Sequence, residues 1–261
     1  MGIDLKRASD VGSSVMASTF RGWRGAMASR KVQQPEQLLE LYDREGCAHC
    51  RFVREALTEL NLDVRIVPVP LGGQRNLPAL KRISGRDRVP FLYDPNKSAK
   101  IEGSDAIIAY LFNTYAGREG PKKLRATKFN VFKSRLATVI RGARGLEAKP
   151  SVGSQQDLTL YSFEASPYSR PVRERLCELE LPYKLINIGK QQRADIGPSN
   201  FRLHFGEYKP IPNTKRSAFM NEHGNVQVPY LIDPNTQRDL FESADILRYL
   251  STTYQVGGAS R

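Results

Sequence analysis

The chain has 261 residues, enough for two domains of ordinary size, and no apolar run of 18 or more residues that would make a membrane span. Three cysteines exclude a disulfide scaffold and fit a reducing compartment, so the cytoplasm is the expected location. The net charge of +13 is concentrated in two places: residues 1–35 hold six Lys or Arg against two acids, and residues 117–150 hold ten against two.

Residues 1–35 form a basic leader. Met16, Phe20, Trp23 and Met27 share a helical face, although Arg21-Gly22-Trp23-Arg24-Gly25 should fray any helix there. An Arg- and Ser-rich, acid-poor leader is similar to an organellar transit peptide, which would move the location to an organelle. Against cleavage, the same pattern recurs inside the chain, and a targeting signal has no reason to be repeated.

From Leu38 the pattern reads strand (38–42), Cys-containing loop, helix (50–61), strand (64–69), helix (77–84) and strand (89–93). A short strand ending at Ile101 and a helix over 104–115 complete a β-α-β-α-β-β-α unit. Its first strand-to-helix junction holds Cys47-Ala48-His49-Cys50. Unpaired N–H groups and the macrodipole at a helix N-terminus favour an anion, and can draw a thiol pKa from about 8.5 to roughly 3.5–7.5. His49, Arg51 and Arg54 would add positive charge, and Cys50, one turn on, could resolve a mixed disulfide by attacking the Cys47 sulfur. The competing readings are inert cysteines or zinc. The other candidate ligands for zinc, Cys177, His49, His204 and His223, are not at finger spacing, so no metal site is expected. The Val89-Pro90 peptide opens a strand, where proline is awkward; a cis bond would explain it.

Residues 117–157 are a basic helical connector in which Phe129, Phe132, Leu136 and Ile140 share a face. It ends in Arg141-Gly142-Ala143-Arg144-Gly145, the leader's pattern at an offset of 120. The first unit then restarts. Ser166 and Ser169 stand 119 residues after Cys47 and Cys50, and Arg173-Glu174 stand 119 after Arg54-Glu55. Val228-Pro229 repeats Val89-Pro90, and Ser243 opens the last helix as Ser104 does, now at an offset of 139. The chain therefore reads as a tandem duplication: leader 1–35, first domain 36–116, connector 117–157 and second domain 158–255. An insertion within about 190–225 reads as a long loop over or near the second site. Cys177 reads as a buried, inert thiol. The apolar faces of the basic segments are expected to pack on the adjacent domain. Docking to an anionic membrane or a partner is the alternative, and nucleic acid is disfavoured because aromatic-rich binding motifs are absent.

The C-x-x-C after a first strand, the Val-Pro before a third and the Ser-Asp opening the last helix together resemble the glutaredoxin and glutathione S-transferase N-terminal domains. The resemblance covers residues 38–116 and, by the duplication, the second unit. It implies two tandem α/β domains of thioredoxin-like fold, each a four-stranded mixed sheet with flanking helices. It also implies glutathione as co-substrate, held by Val89, Pro90, Ser104 and Asp105 in the first copy and by Val228, Pro229, Glu242 and Ser243 in the second. In the first copy Gly103 replaces the family's acidic residue and Glu102 is displaced by one.

The leading functional expectation is a glutathione-linked thiol–disulfide oxidoreductase acting on protein disulfides or mixed disulfides, with Cys47 as nucleophile and Cys50 resolving. A transferase-like enzyme using the Ser166 hydroxyl is the second reading, and a non-catalytic module that binds glutathione, a membrane or a partner is the third. With seven residues after Tyr254, the all-helical domain that builds the electrophile pocket of the resembling transferases is not expected, which favours thiol exchange.

Overall fold

Alternation of apolar and polar positions sets eight strands, and a computed structural model, describing residues 5–29, 32–199, 201–202 and 206–257, joins them into one sheet. The first half supplies β1 (Leu39–Asp43), β2 (Val64–Pro68), β3 (Phe91–Asp94) and β4 (Ala99–Glu102). The second supplies β5 (Leu158–Ser162), β6 (Tyr183–Asn187), β7 (Tyr230–Asp233) and β8 (Arg238–Phe241). Their order is β4-β3-β1-β2-β6-β5-β7-β8, in which only β1–β2 and β5–β6 are parallel. The halves meet where β2 and β6 pair antiparallel, Val64 opposite Leu185 and Ile66 opposite Tyr183. The expected pair of four-stranded sheets is thus replaced by one mixed sheet. The reason is that apolar Val64 and Ile66 meet Leu185 and Tyr183, and the one like-charged pair across the seam, Arg65 opposite Lys184, is relieved by Asp157, which takes Arg65 at 2.6 Å.

Alternation also divides the core. Leu39, Leu41, Leu158 and Leu160 face a single core shared by α2 (Ala48–Glu59), α4 (Ser104–Ala116), α6 (Arg170–Glu178) and α8 (Ser243–Tyr254). Two smaller clusters contain Tyr42, Leu80 and Phe91 under α3 (Leu77–Ser84), and Phe219 and Tyr230 under α7 (Lys215–His223). The segment expected to be a long loop therefore contains α7. Thr214 and Ser217 form a capping box that starts it, and Phe219 anchors it, although its composition is polar. His223 ends this helix, its ring 4.3 Å from that of Phe219; His204 lies outside the described residues. Both Val89-Pro90 and Val228-Pro229 are cis.

The repeated Arg-Gly-x-Arg-Gly turn has a packing role. It follows α1 (Leu5–Phe20) and α5 (Lys128–Ile140), and its first arginine turns inward: Arg21 bonds Glu55 at 2.7 Å and Arg141 bonds Glu174 at 2.6 Å, all four buried. Its last glycine has positive φ and lies against the opposite half. A Cβ on Gly25 would sit 2.7 Å from the Glu164 Cβ, and one on Gly145 would sit 2.9 Å from the Glu45 Cβ.

The connector helix packs by the face opposite to the one expected. Asn130, Ser134, Ala137 and Thr138 are buried while Phe129 and Phe132 are exposed. Hydrogen bonds decide the matter. The Ser134 hydroxyl donates to the Ala48 carbonyl at 3.1 Å, the Thr138 hydroxyl donates to the Gly46 carbonyl at 2.9 Å, and Arg51 donates to both hydroxyls. Polar pairing around the cysteine loop outweighs burial of two phenyl rings.

Candidate functional site

Cys47 is the N-cap of α2 and its Sγ accepts the Cys50 N–H at 3.5 Å. It is partly exposed, whereas Cys50 is fully buried one turn into the helix. The Cys50 thiol beside it, the N–H groups of Cys50 and His49, and the Arg44 charge outweigh burial and draw the Cys47 thiol down to about 5. Burial and the neighbouring Cys47 charge push Cys50 the other way, well above its ordinary value. The two sulfurs are therefore electrostatically unequal, one poised as thiolate and the other held as thiol. The expected contribution of Arg51 and Arg54 is corrected. Both turn inward, Arg51 to Ser134 and Thr138 and Arg54 to Asp43 at 2.7 Å, and Arg44 is the cation that lowers Cys47. Cys177 is buried as expected, its Sγ accepting the Glu45 N–H, and burial pushes its thiol up.

Ser104, which opens α4, sits beside this loop: its hydroxyl is 3.2 Å from the His49 Nδ1. The Pro90 carbonyl accepts the Gly103 N–H at 3.1 Å, tying the cis-proline to the same helix start. Asp105 lies elsewhere, accepting the Ala126 N–H at 2.8 Å, and Glu102 pairs with Arg86 at 3.2 Å. The first half thus assembles Cys47, Cys50, Pro90 and Ser104, and spends its acids on other contacts.

In the second half Ser166, Val228, Pro229, Glu242 and Ser243 all line one cavity of about 810 Å³. The Ser166 hydroxyl oxygen accepts the Ser169 N–H at 3.2 Å, as Cys47 does from Cys50. Ser166 lies at the cavity wall but is itself buried. Glu242 has φ +66 where its counterpart Gly103 has φ +88, a conformation that costs a non-glycine residue about 1–3 kcal/mol. Its carboxylate reaches the cavity wall, where Gln227 donates at 2.6 Å and Arg7 at 2.5 Å.

Sequence reasoning missed most of the rest of this wall. Arg7, Trp23 and Met27 come from the leader, and Lys190, Arg202 and Arg216 come from the inserted segment and α7. The helical face through Trp23 and Met27 was the available signal for the leader, and the insertion's placement over the second site was the signal for the others. Burial, then Arg216, draws Lys190 down to about 8. The cavity therefore combines apolar walls with a charged side on which Arg7, Lys190, Arg202 and Arg216 stand beside Glu242 and Asp195.

The glutathione S-transferase N-terminal domain family matches residues 41–119 and 160–257, the two segments that hold these sites. No curated protein and no solved structure matches the chain. Two matched segments that cover most of the sequence, each containing a thioredoxin-like arrangement of strand, site residue, cis-proline and helix, place the chain in the glutathione S-transferase N-terminal domain family.

Proposed function

We propose that the protein catalyses glutathione-linked thiol–disulfide exchange at Cys47. The observation that carries this reading is the partly exposed Cys47 at the start of α2, drawn down to about 5 above a buried Cys50. The Cys47 thiolate attacks the glutathione sulfur of a mixed disulfide. The substrate's sulfur leaves with the electron pair and is protonated by water, and Cys47 becomes glutathionylated. Resolution takes one of two routes: a second glutathione attacks the bound one, releasing glutathione disulfide, or Cys50 loses its proton, attacks Cys47 and expels glutathione. The Cys47–Cys50 disulfide from the second route is returned to dithiol by two further glutathiones. Val89 and Pro90 supply the edge against which the tripeptide backbone lies, and Ser104 the helix start that receives its γ-glutamyl end. The two halves are read as duplicated thioredoxin-like units, of which the first keeps the thiols. The test is reduction of a glutathione mixed disulfide coupled to glutathione reductase. Cys47→Ser abolishes turnover if the reading holds, and a Cys47→Ser variant as active as the parent overturns it.

A second reading is favoured by the cavity of about 810 Å³ beside Ser166. There the Ser166 hydroxyl would hydrogen-bond a glutathione thiolate while Val228, Glu242 and Ser243 hold the tripeptide, the arrangement of a serine-type transferase. Ser166→Ala then abolishes conjugation of a generic electrophile and Cys47→Ser leaves it intact. Conjugation indifferent to Ser166→Ala removes this reading.

A further inference from the structure

Phe129, Phe132 and Val139 of α5 are 69%, 62% and 70% exposed, at helical spacings that place them on one outward stripe. Large apolar groups in such a row mark a contact surface. α1 extends it. The two helices run antiparallel side by side: Arg141 at the end of α5 reaches the Asp10 carbonyl at 2.7 Å, and Arg21 past the end of α1 reaches the Asn130 carbonyl at 3.2 Å. α1 buries Ser14, Ala17 and Ser18 and leaves Met16 and Phe20 exposed.

The charge of this ridge is one-sided. α5 itself carries Lys128, Lys133 and Arg135 and no acid, while Lys123 just before it is paired with Glu59 at 2.9 Å. Arg141 is buried in its pair with Glu174, and Arg144 is paired with Asp10. Lys128 and Arg135 are exposed around the apolar stripe, and Lys133 holds its ammonium 5.5 Å from the Phe129 ring centroid. We propose that the α1–α5 ridge docks the protein peripherally onto an anionic lipid surface. Its phenyl rings would enter the headgroup boundary while the flanking lysines and arginines meet lipid phosphates and carboxylates. Among the described residues no helix is long and apolar enough to cross a membrane, so the attachment is to one leaflet. A second copy is disfavoured as occupant because it would set one acid-poor basic face against another. Nucleic acid would use the charges and leave the phenyl stripe without a partner.

The test is co-sedimentation of the full chain with phosphatidylcholine vesicles, with and without phosphatidylserine. Binding is expected only with the anionic lipid, and to fall at least tenfold between low and high salt as the charges are screened. Phe129→Ser with Phe132→Ser should weaken it at least tenfold without changing the thermal midpoint, since both rings are already in water. Lys128→Glu with Lys133→Glu should weaken it further. Three results overturn the proposal: no binding to phosphatidylserine vesicles; vesicle binding unchanged by the double phenylalanine variant, as charge-only adsorption or duplex DNA binding would give; or a dimer in sedimentation equilibrium that the same variant dissociates. None of these readouts depends on glutathione turnover.

Discussion

Arg173 donates to Glu45 at 3.0 Å and Arg54 donates to Glu164 at 3.0 Å, so each half's helix holds the acid two residues before the other half's site residue. Glu45 precedes Cys47 and Glu164 precedes Ser166. The brace is buried on both sides, with all four side chains no more than 3% exposed. Burial alone would raise Glu164, but Arg173, Arg54, Arg170 and Arg51 outweigh it and hold the carboxyl at about 2. Arg54 also takes Asp43 at 2.7 Å, while Arg173 takes the Ser162 hydroxyl at 3.1 Å in the equivalent place. The crossing arginines fix both site loops to a common frame, and neither half could be removed without stranding charge in the other.

Glu164→Gln should therefore destabilise the fold by about 3–5 kcal/mol, because four arginines lose their shared counter-charge in the interior. Urea unfolding measures this. The pH dependence has a definite sign. A carboxyl depressed to about 2 contributes stability that is present above its unfolded value of about 4.3 and lost as pH falls through 2. The gap between parent and Glu164→Gln should narrow across that acid window. A gap that stays constant from neutral pH to pH 2 would contradict the brace.

The two glycines of the first turn should respond differently to alanine. Gly22 has φ +63 and nothing within 4 Å of an added Cβ, so Gly22→Ala costs only the left-handed backbone, about 1–2 kcal/mol. Gly25 has φ +75 and would drive its Cβ to 2.7 Å from the Glu164 Cβ. Overpacking adds about 1–3 kcal/mol to the backbone term, so Gly25→Ala should have clearly the lower urea midpoint of the two. Equal midpoints would mean that the turn does not bear on the brace.

What the sequence disclosed was whatever repeats or alternates. The strand periodicity, the Cys47 junction and both Val-Pro peptides were legible because each is set by local residue order. Contacts between the halves were not. Nothing local marks Arg54 as the partner of Glu164, 110 residues away, and its place one turn after Cys50 suggests instead a charge serving Cys47. The exposed Phe129 and Phe132 misled for a similar reason: apolar spacing names a helix face, while the side that packs was chosen by the hydrogen bonds of Ser134 and Thr138. In the second half the cavity wall drew on Arg7 and Trp23, more than 140 residues before Ser166, which periodicity cannot connect.

Cys47 should alkylate with a single inflection near pH 5, its rate flat from about pH 6 to 8. Cys50 and Cys177 should stay unlabelled in the folded protein, since both are buried and pushed up. Because the folded pKa is depressed, thiolate stabilisation of the reduced fold is complete above the unfolded value of about 8.5 and fades as pH falls through 5. A stabilised thiolate makes the Cys47–Cys50 disulfide oxidising, so equilibration with glutathione buffers should place its potential between about −230 and −120 mV. Mass spectrometry of the labelled protein assigns the site, and an inflection near the free-thiol value would remove the catalytic asymmetry.

Trp23 is the sole tryptophan of the chain and lines the Ser166 cavity, so its emission reports that cavity alone. If the cavity takes glutathione, titration with glutathione should shift Trp23 emission saturably, because a ligand replaces water against a ring that is 41% exposed. Ser243 opens α8, where its hydroxyl and the free N–H groups of the first turn favour a carboxylate. Loss of one hydrogen bond to a charged group is worth about 1.5–3 kcal/mol, so Ser243→Ala should weaken the titration roughly 10- to 150-fold. Cys47→Ser should leave it unmoved, since that thiol belongs to the other site. A titration lost in Cys47→Ser and kept in Ser243→Ala would assign glutathione to the first half and leave the cavity to a different ligand.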